Sequence, residues 1–110
     1  MSRDKSGLFL ANWRILARDL PEPVAEYTFA ASIGRKWRFD WAFVDDRIAI
    51  EIEGNAWGVA GGGRHMQDSD LDKYNHAALM GWAVFRFSPG MMRRDPAGCI
   101  DMIRQALGRM

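Results

Sequence analysis

Cysteine is almost missing from this chain: Cys99 is the only one in 110 residues. That excludes an internal disulfide and a cysteine-based zinc cluster, and it fits a reducing cytoplasm. The two histidines, His65 and His76, do not make up a standard zinc set with so distant a cysteine. Cys99 itself lies in an apolar stretch and reads as a small core residue. Long hydrophobic runs are absent too. None approaches the roughly 18 residues of a membrane span, so no membrane partner is expected. Met1 to Ser6 leads into a short mixed segment without the apolar core of a secretion signal. A large charge of one sign is also lacking. With a net charge of +1 the chain is no polycation. Repeats, linkers and low-complexity stretches do not occur. Gly61, Gly62 and Gly63 lack the Lys-Ser/Thr ending of a phosphate loop. No arrangement supports a serine or cysteine nucleophile. What remains, 48% hydrophobic and 26% charged residues, describes one soluble domain over residues 1–110 with a single core.

The most informative stretch runs from Arg38 to Glu53 and reads as two strands joined by a tight turn. With side chains alternating between faces, Phe39, Trp41 and Phe43 share one face with Ile48, Ile50 and Ile52. The other face receives Arg38, Asp40, Glu51 and Glu53. A turn centred on Asp45 and Asp46 sets Asp40 opposite Glu51 and Arg38 opposite Glu53. Like charges directly opposed across strands are destabilising. A hard divalent cation between Asp40 and Glu51 converts that repulsion into coordination, since Mg²⁺ is held by one or two carboxylates plus waters and phosphate. The competing reading is an ordinary solvated hairpin face, with Arg38 neutralising Glu53. An odd-length turn would also make the Asp40–Glu51 relation diagonal.

Around the hairpin, periodicity predicts a first helix from an N-cap at Ser6 to near Asp19, with Phe9, Trp13, Leu16 and Leu20 on one face. Pro21 and Pro23 stop it. A strand over 24–30 and a turn over 31–34 precede the hairpin, and residues 55–67 are irregular. A second helix is expected from about Ser69 to Met80, with a Ser69/Asp72 capping box, Gly81 as its stop, and Leu71, Tyr74, Ala78 and Trp82 facing inward. Ala83–Phe87 reads as a fourth strand. Asp95 and Pro96 then open a last helix whose core positions are Ile100, Ile103 and Leu107. The order helix, three strands, helix, strand, helix implies an α/β fold: a mixed sheet flanked by helices, antiparallel first and parallel after the crossover. Basic residues gather at Arg35, Lys36 and Arg38, at Arg64, and at Arg93 and Arg94, a distribution that permits a phosphate-bearing partner.

Several motifs together carry a resemblance: Arg38-Phe-Asp40, Ile50-Glu-Ile-Glu-Gly54, Gly63-Arg-His65, Asp72-Lys-Tyr-Asn75 and Gly81-Trp-Ala-Val-Phe-Arg-Phe87. On these the chain resembles the PD-(D/E)XK nuclease superfamily. More narrowly it looks like the small endonuclease domains of phage and prophage genomes related to the VRR-NUC and very-short-patch-repair-like groups. The likeness covers about residues 24–90. It implies a restriction-endonuclease-like αβββαβ core and a DNA endonuclease using Mg²⁺ or Mn²⁺, located in the cytoplasm of a bacterial or phage-infected cell. Asp40 matches the family's aspartate and Glu51 its acidic residue, with ten residues between them. Glu53 stands at the lysine position. The resemblance therefore implies Asp40 and Glu51 as metal ligands, Glu53 as third ligand or general base, and Lys73 as a catalytic lysine moved onto the following helix. The alternative for Lys73 is an exposed lysine paired with Asp70 or Asp72. Arg35, Lys36, Arg38, Arg64 and His65 are the implied DNA contacts. Many nucleases of this fold act as homodimers, and the apolar hairpin face and tryptophans allow such an interface. The competing function is a nuclease-fold module that binds DNA or protein without cutting.

Overall fold

The structure, a computed structural model, describes residues 7–53 and 67–108. Within them lie α1 (Leu8–Leu16), β1 (Val24–Thr28), a 3-10 turn (Ala31–Ile33), β2 (Arg38–Phe43), β3 (Ile48–Ile52), α2 (Asp68–Leu79), β4 (Ala83–Phe87), α3 (Pro89–Arg94) and α4 (Pro96–Ala106). The four strands form one mixed sheet in the order β1-β2-β3-β4. The first two pairings are antiparallel, and β4 returns parallel to β3. This is the α/β arrangement expected from the element order. Among the described residues no helix is long and apolar enough to cross a membrane.

The β2–β3 register follows the even-length turn, pairing Phe43 with Ile48, Ala42 with Ala49 and Trp41 with Ile50. Past Trp41 the two strands stop pairing. Asp40 takes over there, its Oδ2 accepting the Ile52 amide N–H at 2.8 Å. Alternation breaks at the same place, which corrects one expectation. Phe39 does not share a face with Trp41 and Phe43 but packs on the opposite one, with Phe29, Ala42, Ala49, Ala77 and Trp82. The partner strand is irregular at the matching point: Glu26, between the residues facing Trp41 and Phe39, has φ of 51°. A left-handed residue inside a strand re-aims its neighbours. Phe39 then stacks on Phe29 with ring centroids 4.1 Å apart and planes within 6°.

Each face of the sheet carries its own core. On one side α1, α3 and α4 cover Trp41, Phe43, Ile48, Ile50 and Ile52 with Phe9, Trp13, Met92, Ile100 and Ile103. The apolar hairpin face is therefore buried within the chain and is not available as a surface for a second copy. Cys99 lies in this core, and burial pushes its thiol up from its ordinary value. On the other side α2 lies over the smaller cluster around Phe39 and Trp82.

Helix ends differ from the expected ones in instructive ways. Ser6 lies outside the described residues, and α1 ends at Leu16. Leu16 faces out while Ala17 is buried, because the chain turns back and Trp13 Nε1 donates to the Pro21 carbonyl at 3.1 Å. The cap of α2 is Gln67 with Asp70, whose carboxylate accepts the Gln67 N–H, and not Ser69 with Asp72. Gly81 terminates α2 as expected, with φ of 86° beyond the reach of most side chains. Asp95 caps α4 by accepting from Gly98 N–H at 3.0 Å, with Pro96 in the first turn. The short helix α3 was not anticipated. It starts by the same device, Ser88 accepting from Met91 N–H ahead of Pro89.

Candidate active site

Where β2 and β3 part, the sheet holds its buried charge. Asp40 is 5% exposed, Glu51 0% and Lys73 5%. Alternation along β3 puts Glu51 on the α2 face with Ala49. The inward residues of α2 are Lys73 and Ala77, whereas Leu71 is 48% exposed and Ala78 also faces solvent. This corrects the expected inward stripe. The reason is pairing: α2 is turned so that Lys73 Nζ reaches Glu51 Oε2 at 2.8 Å and the Arg38 carbonyl at 2.7 Å. Those contacts join β2, β3 and α2 through one ammonium group. Lys73 is thus no exposed lysine paired with Asp70 or Asp72.

Glu51 spends its second oxygen on Tyr74, whose hydroxyl donates to Oε1. Burial, together with the adjacent carboxylate, pushes the Tyr74 phenol well above its ordinary value, so it stays a neutral donor. Phe39 lies beneath the ammonium, 5.6 Å from Lys73 Nζ to the ring centroid. Asp40 reaches the same region from β2: its acceptor contact is the amide of Ile52, the residue after Glu51.

Glu53 is placed differently. Its carboxylate accepts from Arg86 Nε on β4, and its backbone N–H donates to the Phe87 carbonyl at 2.9 Å. Arg38 instead pairs with Glu26 at 2.9 Å, which corrects the expected Arg38–Glu53 partnership. Among the described residues no group of three His, Cys, Asp or Glu side chains is disposed to hold one metal ion. The buried carboxylates among the expected ligands are Asp40 and Glu51. Both offer only hard oxygen, which suits Mg²⁺ or Mn²⁺ and not zinc. A carboxylate has about four lone-pair positions, so bonds to Ile52, Lys73 and Tyr74 are compatible with a shared cation. Two carboxylates with waters and a phosphate can make up a Mg²⁺ set when both reach one point.

Of the expected DNA contacts, Arg35, Lys36 and Arg38 are exposed at and just before the start of β2. Arg35 lies 4.6 Å from the Trp37 ring centroid and contacts Asp72 at 3.4 Å. Arg38 lies beside the Lys73 contact. Arg93 and Arg94 end α3, which packs through Met92 on the opposite side of the sheet. Arg64, His65 and the glycines at 61–63 lie outside the described residues, as does Trp57. His76 sits on α2 with Nδ1 at 3.3 Å from Asp72 Oδ1 and its ring against Trp37. One group went unnoticed in the sequence: Arg86, paired directly with Glu51 in the β3–β4 register. The crossover that brings these two together leaves no local signal in either segment. Set beside family models, curated proteins and solved structures, the chain matches none of them.

Proposed function

We propose that this chain is a divalent-metal-dependent DNA endonuclease that hydrolyses phosphodiester bonds, built on a restriction-endonuclease-like core. The observation that carries the reading is the buried Lys73–Glu51 pair beside Asp40, where β2 and β3 separate. A nuclease of the PD-(D/E)XK type needs two acidic residues on the hairpin and a lysine near them. In this reading Lys73 of α2, which contacts Glu51, takes the part of the lysine lacking at position 53. Buried ion pairs of this kind contribute little net stability compared with apolar residues of the same volume, which makes a chemical role the better explanation for keeping one.

In this reading Asp40 and Glu51 hold the cation, and Lys73 orients Glu51 and places positive charge next to the attacking water. Tyr74 fixes the second oxygen of Glu51 and remains protonated. A bound Mg²⁺ or Mn²⁺ supplies a lowered water pKa and stabilises charge that builds on the phosphate. The test is cleavage of plasmid, flap or branched DNA with Mg²⁺ or Mn²⁺. Wild type should cut, and Asp40→Asn or Glu51→Gln, confirmed folded by circular dichroism, should not. Full activity in both variants rejects the assignment.

A second reading, a module of this fold that binds DNA or protein without cutting, is favoured by one observation: both Glu51 oxygens are already engaged by Lys73 and Tyr74. Calorimetry with Mn²⁺ separates the two. Absence of binding at millimolar metal, with DNA affinity intact, selects the second.

A further inference from the structure

Helix α2 has a second polar surface, turned away from the buried pair. Asp68, Leu71, Asp72 and Asn75 recur at the three- and four-residue steps of a single helix face. With Arg35 and Trp37 from the approach to β2 they line a groove of about 450 Å³, a volume in the range of small-ligand sites. Its two walls are tied together from behind. Lys73, the residue after Asp72, donates through Nζ to the carbonyl of Arg38, the residue after Trp37, at 2.7 Å. The groove thus stands on the outer side of the junction whose inner side holds Glu51.

Its polar groups divide in two. Asp72 is answered within the chain, by Arg35 Nη2 at 3.4 Å from one oxygen and His76 Nδ1 at 3.3 Å from the other. Asp68 and Asn75 are exposed and have no side-chain partner among the described residues. Trp37 is a fixed platform, with Phe29 stacked at 6.2 Å, His76 at 5.3 Å and the Arg35 guanidinium at 4.6 Å from its ring centroid. Leu71, 48% exposed, adds an apolar wall. Charge then selects which part of a nucleotide can enter. Two carboxylates against one guanidinium repel a phosphate but accept from the N–H donors of a neutral base. Guanine alone among the DNA bases presents two adjacent donors, N1–H and the 2-amino group, to the two oxygens of one carboxylate. That edge is free only when the base is unpaired. We propose that this groove binds an unpaired guanine, stacked against Trp37 and held through N1–H and the 2-amino group by Asp68, with Asn75 bonding the remaining edge. The inference rests on the nuclease reading above and makes its substrate single-stranded or locally unpaired DNA.

The experiment is fluorescence anisotropy in EDTA, so that no cleavage intervenes, with labelled oligothymidylate carrying one central guanine, hypoxanthine or thymine. Wild type should favour guanine over thymine roughly tenfold, as expected for hydrogen bonds to a charged group. Hypoxanthine, which lacks the 2-amino donor, should fall between them, and annealing the complement should abolish the preference. Asp68→Ala should bind the three strands alike. Trp37→Ala should weaken binding to the guanine strand at least about fivefold, as for a lost stacking contact, and Trp37→Phe should keep most of it. Arg104→Gln, which removes a cation paired with Asp19 away from the groove, should match wild type. Melting temperatures verify folding, and if Trp37→Ala is unfolded the exposed Asp68→Ala carries the test. A guanine preference that is absent from wild type, or that survives in Asp68→Ala, overturns the base pocket and leaves the nuclease reading to its own cleavage assay. An arginine-rich peptide that binds wild type but not Asp68→Ala, with no preference among the bases, assigns the groove to a basic partner and overturns it too. A wild-type protein that neither binds nor cuts DNA overturns both readings.

Discussion

The two faces of the sheet are built on opposite principles. The face under α1, α3 and α4 is uniformly apolar, from Phe9 and Trp13 to Ile100 and Ile103. The face under α2 has a smaller aromatic cluster and, next to it, Asp40, Glu51 and Lys73 almost without solvent. Burying hydrocarbon stabilises in proportion to area. Burying charge costs several kcal/mol per ion unless geometry and hydrogen bonds recover it. One half of the molecule thus supplies the stability that the other half spends on polar groups, and substitution can separate the two roles.

The largest effect is expected at Lys73. Lys73→Met removes the ammonium paired with the buried Glu51 carboxylate and should lower stability by about 3–5 kcal/mol. Adding Glu51→Leu to that variant should recover most of the loss, because an apolar pair of similar volume replaces the ions. On the other face Ile103→Ala should cost about 2–5 kcal/mol with no comparable rescue, since it leaves a cavity. Urea denaturation reads all three. If the double variant is no more stable than Lys73→Met, the pair is needed for folding and the contrast between the faces is lost. DNA cleavage by a refolded double variant would likewise remove the chemical reason for the pair.

Asp40 should give the next largest effect. Its carboxylate stands in for a backbone acceptor at the point where β2 leaves β3. Asp40→Ala strands the Ile52 N–H in a buried position, a penalty of about 1–3 kcal/mol. Hydrogen exchange at Ile52 should accelerate in Asp40→Ala and stay near wild type in Asp40→Asn, whose side-chain carbonyl can still accept. Equal exchange in wild type and Asp40→Ala would show that the contact carries no energy.

Distance along the chain explains what could be read from the amino-acid string. Local signals were legible: the even-length turn gave the hairpin register, and Gly81 and the Asp95–Pro96 pair marked helix ends. Asp40 was expected directly opposite Glu51, but the ladder ends at Trp41–Ile50 and Asp40 accepts the Ile52 N–H. The orientation of α2 was not legible. Leu71 and Ala78 look like an inward stripe, but the helix is turned by a lysine whose partner lies 22 residues earlier. The reversal at Phe39 depends on the left-handed backbone of Glu26, a residue type that gives no warning of it. Arg86 acquires meaning only through a parallel pairing across α2. By contrast α3 could have been found, since Ser88-Pro89 repeats the start signal correctly read at Asp95-Pro96.

Tyr74 offers the smallest and most specific probe of the polar face. Its hydroxyl donates to a buried carboxylate also held by Lys73, so Tyr74→Phe should cost only about 1 kcal/mol at neutral pH. The pH dependence is more telling. The folded phenol is raised above its ordinary value of 10.0, chiefly by burial and then by the Glu51 charge. Above pH 10 the unfolded chain therefore releases this proton while the folded protein retains it. Its contribution is fully present below that pH and declines as pH rises further. Wild type should lose stability relative to Tyr74→Phe between pH 10 and about pH 11, and the gap between their urea midpoints should narrow or reverse. Midpoints that stay parallel from neutral pH through that window would mean that Tyr74 ionises freely in the folded state, and that the pocket around Glu51 is wetter than its burial indicates.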